Sequence, residues 1–159
     1  MNLVSAEWDE QVAYRISQQA YLLQTEGHFR ESLTLFEGLL ELYPENLYYR
    51  DAVSALHLSL GNPAEAVRQA SLVISAAPGY VNAFVRRSEG YLLIGSVSEA
   101  ERDIEQLRRL HAFGHVRRME MRLKNARRIQ ARTHNLHAKS RAFSLQHSPL
   151  VNDNTPEGN

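Results

Sequence analysis

Cysteine is absent from all 159 residues, which excludes disulfide frameworks, thiolate catalysis and zinc sites built on thiolates. No apolar run is long enough to span a bilayer. The stretch from Met1 to Gln11 lacks a basic start and an apolar core and carries Glu7, Asp9 and Glu10, so no signal peptide is expected and a soluble, cytoplasmic protein is. There is no glycine-rich phosphate loop, and no serine, histidine and acid set around a nucleophile motif. The seven histidines are scattered. His111 and His115 stand four apart with Gly114 between them, and His134 and His137 have no acid or further ligand nearby, whereas a metal site needs three or four converging ligands. Neither catalysis, nor a metal, nor a cofactor is expected.

Net charge is missing as well, but only as a sum. Residues 1–110 hold 15 acids against 9 arginines, whereas residues 111–142 hold 9 Arg and Lys against Glu120 alone. Segregation of this kind points to an interaction surface, or to contact between the two poles.

What the chain does contain is a repeat. Gly27, Gly61 and Gly95 stand 34 residues apart, and the same step carries Glu31 to Glu65 to Glu99, Ser32 to Ala66 to Ala100, and Pro44 to Pro78. Leu39, Val73 and Leu107 form an apolar series at this step, and Phe36, Ala70 and Ile104 form another. A period near 34 with a mid-unit glycine and a late proline describes a helix–turn–helix solenoid. Glycine accepts the left-handed conformation that ends the first (A) helix of each unit. An acid then meets the positive end of the second (B) helix. Asn62-Pro63 reads as a cap followed by the best first helical residue, and Ser96-x-x-Glu99 as a capping box. The small residues at 20, 54 and 88 in the A helices and at 32, 66 and 100 in the B helices let the pairs approach closely. Pro44 and Pro78 end the B helices.

These units resemble tetratricopeptide repeats, with boundaries near 13–46, 47–80 and 81–114. Unit one matches through Ala20, Gly27, Ser32 and Pro44, and unit two through Gly61, Ala66, Ala70 and Pro78. Unit three keeps Phe84, Tyr91, Gly95 and Ala100 but has Ala112 in place of the proline. Arg50, Ser54 and Ser88 depart from the usual pattern. The resemblance implies an all-α, right-handed solenoid of three units. Around it, Ser5 is expected to cap a long first helix whose residues 1–12 extend it, with Trp8 and Val12 covering the open end of the stack. Past a break at Phe113-Gly114, a basic capping helix is expected over 115–142, with Val116, Met119, Leu123 and Ala126 inward, followed by a disordered tail over 143–159.

In repeats of this kind the A helices line a concave groove that faces a ligand peptide. Carried over by position, the groove presents Tyr14, Ser17, Tyr21, Gln24, Tyr48, Asp51, Ala55, Leu58, Asn82, Val85, Arg86, Glu89 and Leu92. Some relatives grip a C-terminal carboxylate with Lys, Asn and Arg. Only Arg86 matches that pattern, since Ser17, Tyr21 and Ala52 occupy the other places, so a tail clamp is not expected. Three tyrosines and several aliphatic residues suit an extended peptide with apolar anchors, although the same tyrosines could equally pack between helices. His57 reads as a packed core residue.

Arg117, Arg118, Arg122, Lys124, Arg127, Arg128 and Arg132 form a basic patch. It is either the solvated face of the capping helix or a contact for phosphates on nucleic acid or an anionic membrane. Three function classes follow. The first is a non-catalytic adaptor or chaperone holding a partner protein or peptide, and in size and arrangement the chain resembles the cytosolic chaperones of type III secretion translocator and needle subunits. The second is a scaffold that self-associates, for example as a homodimer. The third is an anion-binding module using the basic helix.

Overall fold

In the computed structural model, residues 3–146 are described, with side chains described over 10–140. Seven α-helices follow one another, and no strand occurs among the described residues. They are α1 (Leu3–Thr25), α2 (Phe29–Leu42), α3 (Leu47–Ser59), α4 (Pro63–Ala76), α5 (Val81–Leu93), α6 (Val97–Arg109) and α7 (Phe113–Gln146). The described residues fall into two units, one up to residue 126 and one from residue 127 on. None of these helices is long and apolar enough to cross a membrane.

Within the first unit, α1–α2, α3–α4 and α5–α6 are three hairpins. Each turns on the glycine at the repeat step. Gly27, Gly61 and Gly95 adopt φ of 86°, 76° and 80°, a region an L side chain enters at a cost of about 1–2 kcal/mol. After each glycine the next amide reaches back to the preceding helix: His28 N to Leu23 O at 2.8 Å, Asn62 N to His57 O at 2.8 Å, Ser96 N to Tyr91 O at 2.9 Å. These bonds satisfy carbonyls the helix ends would otherwise leave open. Pro44 and Pro78 sit two residues beyond the ends of α2 and α4, where a missing N–H removes nothing.

Three details of the caps and ends differ from the sequence reading. Ser5 lies inside α1, which already runs at Leu3. Asn62 and Ser96 occupy N-cap positions without a side-chain cap bond, because their backbones (ψ of 62° and 68°) are not extended. Asn46, with ψ 100°, does cap: its side chain accepts from the Tyr49 amide at 3.1 Å.

The last link is of another kind. In place of a proline turn, His111 takes φ 57°, and the Ala112 amide closes on Leu107 O at 2.9 Å. The tightened turn starts α7 at Phe113 rather than near 115, with Gly114 inside its first turn. No proline occurs between Pro78 and Pro149, and α7 accordingly runs past the expected end at 142 to Gln146. The expected cover by Trp8 and the tail from 147 onward lie outside the described residues.

Burial follows the repeat. One core gathers Ala13, Ala20, Phe36, Leu39, Tyr49, Ala52, Val53 and Leu56. A second joins Phe84, Val85, Ile104 and Leu107 to Val116, Met119 and Leu123 of α7, and Ala70, Val73 and Ala83 connect the middle. Each fully buried Leu or Phe contributes about 1.5–3 kcal/mol. Arg87 ties α5 to α6. Its Nη2 and Nε donate to Asp103 at 2.7 and 2.9 Å, while the guanidinium lies 5.6 Å from the Phe84 ring centroid and 5.9 Å from that of Tyr91. Arg50, at a place where aromatics are usual, donates to Gln69 Oε1 at 3.1 Å and to Pro44 O at 2.7 Å.

Candidate peptide-binding face

The thirteen A-helix residues lie on α1, α3 and α5, and the structure gathers six of them, Tyr14, Ser17, Tyr21, Tyr48, Asp51 and Arg86, into two clusters. The first is aromatic. Tyr21 and Tyr48 stack with centroids 5.9 Å apart and planes 14° from parallel. Phe36 and Tyr21 meet at a steep angle with centroids 6.1 Å apart, as do Tyr49 and Tyr48 at 5.9 Å. The rings of Tyr21, Tyr48 and Tyr49, with Tyr14, Ser17, Gln18 and Asn46, line an open cleft of about 410 Å³. Tyr14 is 61% exposed, and its hydroxyl accepts from Gln18 Nε2 at 2.9 Å. Tyr21 and Tyr48 pack on one another, and Tyr21 on the buried Phe36, while they remain 44% and 46% exposed. Burial pushes the Tyr48 phenol up, and its hydrogen bond with Tyr21 and the nearby Tyr80 and Tyr49 add to this. It stays a neutral O–H.

The second cluster is polar. Asp51 is only 8% exposed, and burial raises its carboxyl above the ordinary range despite the offsetting charge of Arg86. Arg86 Nε stands 4.0 Å from Asp51 Oδ1, too far for a hydrogen bond, and neither atom has another partner among the described residues. Tyr80 is the neighbour the sequence missed. Burial raises its phenol, as do Asp51 and Tyr21, against the pull of Arg86. It falls outside the repeat step of the groove positions, so the step could not flag it.

The remaining groove positions are less available. Ser17, Ala55 and Val85 are buried, and the Ser17 hydroxyl is bound to Tyr14 O at 2.7 Å. Gln24, Leu58 and Leu92 are half-buried, and Asn82 is exposed. Glu89 is held by an ion pair from Arg122 of α7. His57 is buried, as a core residue should be. The basic patch is likewise divided. Arg122 is engaged with Glu89, and Arg118 Nη2 lies 2.5 Å from His115 Nδ1. Arg117 and Lys124 remain exposed in the first unit, while Arg127, Arg128 and Arg132 belong to the second.

Comparison with known proteins places this arrangement. No family model matches the chain. A curated relative, the TPR repeat-containing thioredoxin TTL4 of Arabidopsis thaliana, is 29% identical over 83 residues. The match takes in 52% of this chain but only 12% of the relative's length. Among solved structures, PcrH in complex with the chaperone binding region of PopD superposes with a TM-score of 0.68 at 17% identity, covering 76% of this chain and 95% of that one. The Sgt2 TPR domain from Aspergillus fumigatus gives 0.66 at 16% identity, over 77% and 82%. The first TPR of Spaghetti (RPAP3), bound to an HSP90 peptide, SRMEEVD, gives 0.63 at 18% identity, over 72% and 94%.

Proposed function

Because the chain carries the tetratricopeptide-repeat fold, we propose that it is a non-catalytic adaptor or chaperone that holds an extended partner peptide along α1, α3 and α5. The observation that carries this is the open tyrosine cleft. Aromatic side chains contribute large contact area at little entropic cost, and Tyr14, Tyr21 and Tyr48 present theirs on one side of two successive repeats. Two of the similar structures hold peptides, an HSP90 segment and the chaperone binding region of PopD, which supports the same use of this face. An acidic tail like SRMEEVD suits it poorly, since Asp51 stands beside the single arginine that would receive a carboxylate. Size, flanking helices and the likeness to PcrH support a narrower reading as a cytoplasmic type III secretion chaperone.

The test is recovery of bound polypeptide with the full chain from its own cells, washed at ~1 M salt to remove screened charge contacts. Wild type should retain a stoichiometric polypeptide. Tyr14→Ala and Tyr21→Ala/Tyr48→Ala should lose it while keeping the helical far-UV spectrum. Equal retention by folded variants would remove the cleft as the binding site.

A further inference from the structure

The groove leaves one feature of the chain unused: the second unit's helix, residues 127–146. Every described residue from 127 to 140 is exposed. Arg128, Arg132 and Lys139 stand on it, and no acid occurs between Glu120 and Asp153. The surface is not purely cationic, because Ile129 and Leu136, seven residues apart and so on one face, are 66% and 67% exposed.

From this helix and its charge complement we infer that the chain self-associates head to tail, the basic helix of one copy docking on the outer face of α2 in another. The first repeat carries the matching surface. Residues 26–45 hold five acids against Arg30 alone. Glu37 and Glu41 are one helical turn apart on the exposed side of α2, followed by Glu45, and none of the three is ion-paired among the described residues. Leu42 lies between them, 71% exposed, and offers an apolar counterpart to Ile129 and Leu136. The lengths agree: Arg128 to Lys139 spans ~17 Å of helix and α2 ~21 Å at 1.5 Å per residue.

The alternatives fit less of this. Two basic helices repel one another, which excludes a symmetric pairing through the same element. A phosphate backbone gives Ile129 and Leu136 nothing to pack against, and no Phe, Tyr or Trp lies within 127–140 to stack on a base. A membrane requires a broad apolar face, and this one is a single narrow line. Two different patches on each copy make the contact heterologous, so it propagates as rings or short chains.

Sedimentation velocity on the full chain tests this. At ~0.05 M salt wild type should associate with rising concentration, and the apparent association constant should fall at least about tenfold at ~0.5 M. Arg128→Glu/Arg132→Glu/Lys139→Glu should be monomeric, and so should Glu37→Arg/Glu41→Arg/Glu45→Arg. An equimolar mixture of the two should associate again, because the acidic helix of one now meets the basic α2 of the other. Recovery on mixing is particular to a contact between copies. A monomeric wild type at low salt, association that survives either reversal, or no recovery on mixing would overturn the inference. So would a wild type that stays monomeric and binds only single-stranded nucleic acid or anionic phospholipid vesicles.

Discussion

The Ser54 hydroxyl donates to the Ala66 carbonyl at 2.9 Å, and one repeat earlier the Ser32 hydroxyl donates to the Ala20 carbonyl at 2.7 Å. These are the same two places, 34 residues apart, with serine and alanine exchanged. In both crossings one hydroxyl fits between helices that have room for no more, since Ala20, Ser32, Ser54 and Ala66 are all fully buried. The third repeat keeps the pairing as Ser88 with Ala100, but there the hydroxyl turns to its own helix and meets Val85 O at 3.0 Å.

Exchange at the second crossing should therefore be nearly neutral. Ser54→Ala alone removes one buried hydrogen bond, costing about 1 kcal/mol, and Ala66→Ser alone crowds two hydroxyls into the space of one. The double variant recreates the arrangement of the first repeat and should recover most of the loss. Urea unfolding of the four proteins gives the coupling directly, and strictly additive losses would show that the crossing does not accept either order.

The Arg87–Asp103 pair should break asymmetrically. The Asp103 side chain is 4% exposed and that of Arg87 21%. Arg87→Ala leaves a buried carboxylate without a partner, at a cost of about 3–5 kcal/mol. Asp103→Ala leaves a guanidinium that still reaches water and lies near two aromatic rings, so its cost should be smaller, about 2–3 kcal/mol. Equal midpoints in urea would contradict this ordering.

Gly90 should not tolerate alanine, although alanine is worth about 1 kcal/mol more inside a helix. A Cβ there would come within 2.6 Å of Val67 Cγ2 and 3.1 Å of the Pro63 carbonyl. Overpacking of this kind costs about 1–3 kcal/mol, so the net effect is a lower melting temperature. Val67→Ala/Gly90→Ala should regain part of it by clearing the nearer clash.

Stability against pH should carry two opposed contributions. Glu65, hydrogen-bonded by Arg68, is held down to about 2, so its contribution is present above the ordinary carboxylate range and is lost as pH falls toward 2. Asp51 is raised, so its contribution is full below that range and is lost as pH rises through its elevated value. At neutral pH the buried, under-paired Asp51 is therefore a penalty. Asp51→Asn should raise stability at pH 7, and the gain should vanish near pH 3, where wild-type Asp51 is neutral too. A loss at pH 7 would mean that Asp51 and Arg86 bind more firmly than their 4.0 Å separation suggests.

Much of the fold was legible because a repeat step exposes local chain geometry. Gly27, Gly61 and Gly95 are required by a backbone angle, and a required angle recurs wherever the turn does. The tyrosine cleft was legible in part, since Tyr14 and Tyr48 share a repeat position and Tyr21 lies two turns along the same helix. Contacts between helices were not. Arg87 and Asp103, Gly90 and Val67, and Asp51 with Arg86 and Tyr80 meet because particular helices cross at particular heights, and none of these pairs recurs at the step. Caps failed for a related reason. Asn62 and Ser96 have suitable side chains but backbones held by the preceding glycine turn, whereas Asn46 follows a proline turn and is extended.

The turn at His111 has a further consequence when the array is viewed as a one-dimensional lattice. In α5 the inward residues include Ala83, Phe84, Val85 and Ser88; one step on, Val85 falls at the buried Met119, but the other three fall at Arg117, Arg118 and Arg122, all exposed. Inward residues in α7 are instead Val116, Met119 and Leu123. The seventh helix thus joins the stack out of phase, as a stacking fault does in a crystal, and growth in the old register stops there. A copied 34-residue block placed between α4 and α5 would be commensurate with its neighbours. The same block placed after Arg109 would meet arginines where its own lattice calls for alanine and serine.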